Sequence, residues 1–137
     1  MDKFLSCDWG TSSFRIRLVS LPDLQVLAEE RSDDGIAATF NSWKGENANE
    51  EHRFEFYLSI LKNRIKNLEQ HLQSSLKNIP VIISGMASST IGMMEMPYKS
   101  LPFNLDGSDL MTKKINKKSH FLIRFIVGIF RSVRKVP

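Results

Sequence analysis

A stripe of apolar residues in the middle of the chain constrains the fold more than any other feature. Its members recur every three or four positions, as on one face of an α-helix, and such a face must be buried against another layer of structure. Asn49 is a suitable N-cap, and Asn78 with Pro80 predicts the end of the helix. We therefore predict an amphipathic helix from about Glu50 to Leu76. The stripe consists of Phe54, Leu58, Leu61, Ile65, Leu68, Leu72 and Leu76.

Strand patterns lie on both sides of this helix. Residues 3–7 form a short apolar run, and FRIRLV (14–19) alternates apolar and basic residues with the period of a half-buried strand. LQVLAEE (24–30) alternates weakly after the turn signal Pro22-Asp23, so we expect three antiparallel strands joined by tight connections. VIIS (81–84) is continuously apolar, as is typical of a strand that is buried on both faces.

The order of these elements predicts the fold class. Three strands, a long helix and a buried fourth strand match the start of a ribonuclease-H-like α/β domain. Residues 41–50 are polar and contain Gly45, so we interpret them as a loop before the helix. We divide the chain into a lobe at residues 1–109 and a basic tail at residues 110–137, for which we expect a disordered or aberrant end.

The charge distribution is the reason for this division. All 15 acidic residues lie at or before Asp109, whereas residues 110–137 carry eight of the 19 lysines and arginines. The 11 basic residues of the lobe therefore leave it with a net charge of −4, and the tail carries +8. Because the basic excess is local and does not form a stripe across a folded surface, we expect no nucleic-acid partner.

Cysteine content and hydropathy limit the cellular setting. The chain has one cysteine, Cys7, which excludes an internal disulfide and suits a reducing cytoplasm. The most apolar late segment, residues 120–130, is interrupted by Arg124 and is far shorter than the ~20 residues that span a bilayer. We expect a cytoplasmic protein without a membrane span.

The segment CDWGTSS (7–13) lies in the sharp corner between the first two predicted strands. A turn with one glycine and three hydroxyl residues can direct several N–H and O–H groups at one phosphate. Asp8 could hold Mg²⁺ through water, since this small ion keeps several waters and takes few carboxylates. The Walker A pattern GxxxxGK[ST] is absent. Alternatively, Gly10 only makes a hairpin turn and the hydroxyls bind nearby backbone groups.

Two segments carry a resemblance to a known family. DWGTSS followed by FRIRL resembles the first phosphate motif of the 2-dehydro-3-deoxygalactonokinase family, sugar-acid kinases of the actin, hexokinase and Hsp70 ATPase superfamily. SGMASSTIGMMEMPYKSLP (84–102) is similar to a second motif of this family, with its GM, serine, glycine, acid and PY in order. The resemblance covers about Phe4 to Asp109. It implies an incomplete N-terminal lobe of the actin-like ATPase fold.

The resemblance also implies roles for individual residues. Asp8 would coordinate magnesium-bound ATP. Arg15 would neutralise a phosphate or the carboxylate of the sugar acid; alternatively, it is a solvated strand residue. Thr90 stands where relatives are expected to have arginine, and no residue is identified as the general base. The implied nucleotide-binding residues are Asp8, Gly10, Thr11, Ser12, Ser13 and Arg15, and the implied sugar-acid-binding residues are Ser84, Gly85, Ser88 and Ser89.

The function that follows is ATP-dependent phosphorylation of 2-dehydro-3-deoxy-D-galactonate in D-galactonate catabolism, with the oligomeric state left open. Family members are longer and bind ATP between two lobes, so we expect a fragment with little activity, ended by a frameshift or premature stop near residue 113. One alternative is a non-catalytic binding module with a basic tail. The other is a ribonuclease-H-like nuclease, whose second acid would be expected where this chain has Ser84, Gly85 and Met86.

Overall fold

The computed structural model describes residues 2–46, 49–95, 112–115 and 123–126. The elements are β1 (Lys3–Trp9), β2 (Phe14–Ser20), β3 (Val26–Ser32), α1 (Ile36–Gly45), α2 (Glu50–Leu72), β4 (Val81–Gly85), β5 (Thr112–Ile115) and β6 (Ile123–Ile126). A short 3₁₀ turn, Met86–Ser88, follows β4. The strands form one mixed sheet in the order β3-β2-β1-β4-β6-β5.

The pairing of the first four strands confirms the predicted ribonuclease-H-like order. β1, β2 and β3 form an antiparallel meander, and β4 lies parallel to β1 on its other side. A parallel neighbour needs a crossover connection, which here contains both helices. The carboxyl ends of β1 and β4 consequently meet at one edge of the sheet.

The core lies between one face of the sheet and the apolar stripe of α2. Every second residue of β1, Leu5, Cys7 and Trp9, is fully buried on this face. Each large apolar side chain that is removed from water here contributes roughly 1.5–3 kcal/mol to folding. The residues of α2 that complete the layer are Tyr57, Leu58, Leu61, Ile65 and Leu68.

Two sequence expectations about the helices are wrong in part. Residues 41–45, expected in a loop, belong to α1, whose buried residues Ile36, Thr39 and Trp43 have helical spacing that the polar Thr39 obscures. The long helix ends at Leu72 rather than Leu76, because Gln73 adopts a left-handed conformation and its N–H bonds to the Glu69 carbonyl. The predicted N-cap at Asn49 is confirmed, since its side chain accepts the Glu51 N–H at 3.0 Å.

The segment expected to be a separate tail contains two strands of the same sheet. β6 pairs parallel with β4, and β5 pairs antiparallel with β6. The rest of residues 110–137 lies outside the described residues, so the division of the chain at residue 110 stays a prediction. Within the described ranges, no helix has the length and hydropathy needed to cross a membrane.

Candidate active site

The corner between β1 and β2, residues 10–13, has a fixed main chain. The Gly10 N–H donates to the Ser13 carbonyl at 2.9 Å and closes the turn. The first N–H groups of α1 donate to the corner as well, Ile36 to the Gly10 carbonyl at 2.9 Å and Ala37 to the Thr11 carbonyl at 3.1 Å. These donors have no partners within their own helix, so the corner satisfies them.

Gly35 makes this contact possible. A Cβ at this position would overlap the main chain of residues 11–13. The corner therefore rests directly on the backbone before α1, an approach that only glycine allows. Gly35 is not among the site residues predicted from the sequence, although DDG after a strand is a recognisable turn signal.

Trp9 anchors the end of β1 next to the corner. Its indole N–H donates to the Asp34 carbonyl at 3.0 Å, and its ring packs edge-on against Phe14 and tilted against Tyr57. The Asp34 carboxylate in turn pairs with Arg64 of α2. Trp9 thus connects the end of β1 to the segment before α1, through Asp34, and to α2, through Tyr57.

The two predicted motifs meet at the carboxyl ends of β1 and β4. In the parallel register, Asp8 lies opposite Ser84 and Trp9 lies opposite Gly85. Gly85 has φ +93°, and a Cβ there would stand 2.7 Å from the Trp9 carbonyl oxygen and 3.0 Å from Asp8 Oδ1. The absence of a side chain at Gly85 therefore lets the end of β4 lie directly against Trp9 and the Asp8 carboxylate. Carboxyl ends of strands are where α/β sheets usually bind ligands.

A cleft of about 430 Å³ opens beside Asp8. The Asp8 side chain is 53% exposed and accepts a hydrogen bond from Arg15 Nη2 at 3.4 Å. Magnesium typically takes one or two carboxylates, several waters and substrate phosphates, so one accessible carboxylate beside free space fits this ion. The cleft is lined by Asp8, Ser13, Phe14, Arg15, Arg31, Ser32 and Asp33.

A charged network adjoins the cleft on β2 and β3. Glu29 accepts hydrogen bonds from Arg31 and, at 2.8 Å, from Arg17 Nε. The hydrogen bond from Arg31, followed by the one from Arg17, lowers the pKa of Glu29 below its usual range. Glu29 therefore stays ionised at neutral pH. Glu29 and Arg31 are not among the residues predicted from the sequence, because their position beside Arg15 and Arg17 depends on strand register.

The loop after β4, residues 86–95, is held by two residues of α2 that lie one helical turn apart. Arg53 donates to the carbonyls of Thr90 and, at 2.8 Å, Gly92, and Tyr57 donates to the Ile91 carbonyl at 2.6 Å. Burial raises the pKa of Tyr57 to about 12, so its hydroxyl remains a donor at neutral pH. Three consecutive carbonyls of the second motif are thus fixed from α2.

The remaining predicted residues are distributed over the corner and this loop. Thr11 and Ser12 are exposed at the corner outside the cleft lining, whereas Ser13 lines the cleft. Ser84 Oγ makes one long hydrogen bond of 3.4 Å to the Cys7 carbonyl. Ser88 and Ser89 are buried, and neither hydroxyl has a hydrogen-bond partner among the described residues. Their predicted roles stay predictions.

The arrangement does not match a two-metal nuclease. Such a site needs several carboxylates around its ions, and the β4 residue opposite Asp8 is Ser84. In the part of the chain that the structure describes, no three His, Cys, Asp or Glu side chains come together. Cys7 is a buried thiol whose pKa is raised by burial and by the neighbouring Asp8, which agrees with a core residue rather than a nucleophile.

Comparisons with known proteins identify the family. The sequence profile described as 2-keto-3-deoxy-galactonokinase matches residues 8–136. A protein from Sinorhizobium meliloti, provisionally described as a 2-dehydro-3-deoxygalactonokinase, has a solved structure that is 26% identical, with a TM-score of 0.65. The match covers 96% of this chain and 36% of that one, so the chain spans about a third of its length. No curated protein matches the chain significantly.

Two further solved structures are less similar to this chain. A reductive activator for a corrinoid, iron-sulfur protein is 22% identical over 65% of this chain and 15% of its own, with a TM-score of 0.46. A Ppx/GppA phosphatase from Aquifex aeolicus is 18% identical over 61% of this chain and 27% of its own, with a TM-score of 0.33. The assignment rests on the family profile, which extends over nearly all of the chain and includes both sequence motifs. The chain belongs to the 2-keto-3-deoxy-galactonokinase family.

Proposed function

We propose that the cleft beside Asp8 binds the phosphate end of magnesium-bound ATP. The reaction to which the chain contributes is phosphorylation of a 2-keto-3-deoxy sugar acid, and the proposed substrate is 2-dehydro-3-deoxy-D-galactonate. The observation that carries this proposal is the pairing of Asp8 with Ser84 at the carboxyl ends of parallel strands. It joins the two motifs that resemble a sugar-acid kinase. Membership of a kinase family supports the reaction class.

The nucleotide side of the proposed site is the corner and the strand ends around it. Asp8 would hold Mg²⁺, and the bound ion would supply positive charge to the phosphates. Gly10 lets the main chain approach them, and Arg15 neutralises a further phosphate oxygen. The hydroxyl donors are assigned to Thr11, Ser12 and Ser13.

The sugar-acid side is assigned to the carboxyl end of β4 and the turn after it. Gly85 lets the end of β4 approach Asp8 closely, since a Cβ would stand 3.0 Å from its carboxylate. Buried hydroxyls without partners are uncommon in folded proteins, and Ser88 and Ser89 are two of them within the described residues. A ligand that reaches this turn would satisfy both. The substrate-binding set is thus Ser84, Gly85, Ser88 and Ser89.

The proposal includes a low activity for this chain by itself. Phosphoryl transfer depends on positioning and on charge stabilisation from several sides of the transferred group. The described residues supply one side, the corner and the end of β4. We also propose a cytoplasmic location, which the single buried cysteine favours.

Magnesium-dependent nucleotide binding tests the phosphate end. Titration of ATP into the unaltered chain with and without Mg²⁺ is compared with Asp8→Asn, for which we expect at least a tenfold loss of the Mg²⁺-dependent affinity. The matched control is Asp23→Asn, which removes an exposed carboxylate at the β2–β3 turn and should leave binding unchanged. Equal Mg²⁺-dependent binding by Asp8→Asn and the unaltered chain would contradict the assignment.

Turnover tests the substrate class. A coupled ADP-release assay with a panel of 2-keto-3-deoxy sugar acids should detect little turnover by the 137-residue chain. Longer family members should favour the galactonate-derived acid. Fast, substrate-dependent turnover by the chain itself would overturn the proposed low activity, and no preference for 2-keto-3-deoxy acids in the family would overturn the substrate assignment.

A further inference from the structure

One row of polar side chains crosses four strands at the edge of the cleft. Asp8 pairs with Ser84 of β4 on one side and with Arg15 of β2 on the other, and Arg15 pairs with Arg31 of β3. Residues that lie directly opposite each other on adjacent strands share a face of the sheet. The row therefore places two guanidinium groups side by side, next to the Asp8 carboxylate.

The pairing of Arg15 with Arg31 departs from the usual chemistry of cross-strand pairs. Like charges directly opposite each other destabilise a sheet. The next row on the same face has the favourable arrangement, because Arg17 lies opposite Glu29 and binds it at 2.8 Å. The unfavourable pair, Arg15 with Arg31, lies one row from this favourable pair, and both of its arginines line the cleft.

The two arginines are held from their outer sides. Asp8 accepts from Arg15 at 3.4 Å, and Glu29 accepts from Arg31 Nε. The Arg31 side chain is 66% exposed, and its terminal nitrogens have no hydrogen-bond partner among the described residues. These nitrogens are available to a ligand, and the planar guanidinium binds phosphate oxygens in a bidentate manner. Asp33 also lines the cleft, so the arginines have an acidic neighbour as well as Asp8.

We propose that Arg15 and Arg31 together form a seat for two neighbouring phosphate groups, with Arg31 as a phosphate-binding residue that the sequence motifs do not include. This inference rests on the proposed function, since it specifies how the same cleft receives the polyphosphate chain.

Inorganic tripolyphosphate in Mg²⁺-free buffer is the probe, because it lacks the nucleoside and its binding does not require the metal. Calorimetric titration of the unaltered chain is compared with Arg31→Gln and Arg15→Gln, each expected to weaken binding about tenfold through the loss of charge-assisted hydrogen bonds. The control is Arg17→Gln, an arginine on the same face outside the cleft lining, for which we expect a change below twofold. Circular dichroism checks that each variant is folded.

The proposal would be overturned if the unaltered chain did not bind tripolyphosphate, or if Arg31→Gln bound it as tightly as the unaltered chain. It would also be overturned if Arg17→Gln lost as much affinity as Arg31→Gln, because this indicates nonspecific charge attraction. Titration with a 2-keto-3-deoxy sugar acid separates phosphate from carboxylate recognition. If Arg31→Gln weakens only the sugar acid, the phosphate seat is wrong. If Asp8→Asn abolishes Mg²⁺-dependent ATP binding while Arg31→Gln binds tripolyphosphate normally, this inference fails and the proposed function stands. If instead Asp8→Asn keeps Mg²⁺-dependent ATP binding while Arg31→Gln weakens tripolyphosphate binding, the phosphate seat is retained and the role of Asp8 is rejected.

Discussion

Replacement of Gly85 by alanine tests the geometry that brings the two motifs together. Gly85 has φ +93° and ψ −137°, a conformation that residues with a side chain rarely adopt. Such backbone strain costs about 1–3 kcal/mol. The added Cβ would also stand 2.7 Å from the Trp9 carbonyl oxygen, and overpacking of this kind costs about 1–3 kcal/mol more.

We therefore expect Gly85→Ala to lower the free energy of unfolding by about 2–6 kcal/mol, a large fraction of the ~5–15 kcal/mol typical of a folded domain. Urea unfolding followed by circular dichroism measures this difference, and an unchanged m-value shows that the change lies in stability. In thermal unfolding the midpoint should fall by several degrees for each kcal/mol.

Gly45→Ala is the matched control. Gly45 is the last residue of α1, and a Cβ there would meet no atom within 4 Å. Alanine favours helix over glycine by about 0.5–1 kcal/mol, so this variant should be unchanged or slightly more stable. A free energy of unfolding for Gly85→Ala within about 0.5 kcal/mol of the unaltered chain would refute the reasoning about close approach and positive φ.

Two further predictions concern the core. Tyr57→Phe removes the donor to the Ile91 carbonyl while keeping the ring, so we expect the free energy of unfolding in urea to fall by about 1–2 kcal/mol. The control Ser59→Ala removes an exposed hydroxyl of the same helix and should lower this free energy by less than about 0.5 kcal/mol. Equal effects of the two variants would argue against a specific bond from Tyr57 to the loop. Burial raises the pKa of the Cys7 thiol, so a disulfide reagent should label the folded chain slowly even at pH ~9 and rapidly in urea. Rapid labelling without denaturant would contradict the buried position.

Local periodicity explains which parts of the fold the sequence predicts. The alternation after Phe14 and the three-and-four spacing after Phe54 depend on neighbouring residues, so β2 and α2 appear at the expected places. α1 was missed because Thr39 is polar and yet buried, which interrupts an otherwise helical stripe. The early end of α2 has a similar cause, since glutamine carries no sequence signal for the left-handed conformation that Gln73 adopts.

The site depends on long-range pairing, which local patterns do not encode. The motifs pointed to Asp8 and Ser84 separately, and only the parallel register of β1 with β4 makes them neighbours. The row of Asp8, Arg15 and Arg31 requires the registers of two strand pairs, including an irregularity after Leu18 that shifts β3 relative to β2. Sequence reasoning therefore identified the ends of the strands but not the second arginine.

The donation of two α1 N–H groups to the carbonyls of Gly10 and Thr11 has a consequence for ligand affinity. These bonds keep the main chain of the corner in one conformation before any ligand arrives. Ordering a loop on association costs free energy that is subtracted from affinity. The main chain of this corner has already lost its conformational entropy during folding. A phosphate that binds there therefore does not have to order it, and a larger part of the free energy of each new contact contributes to affinity.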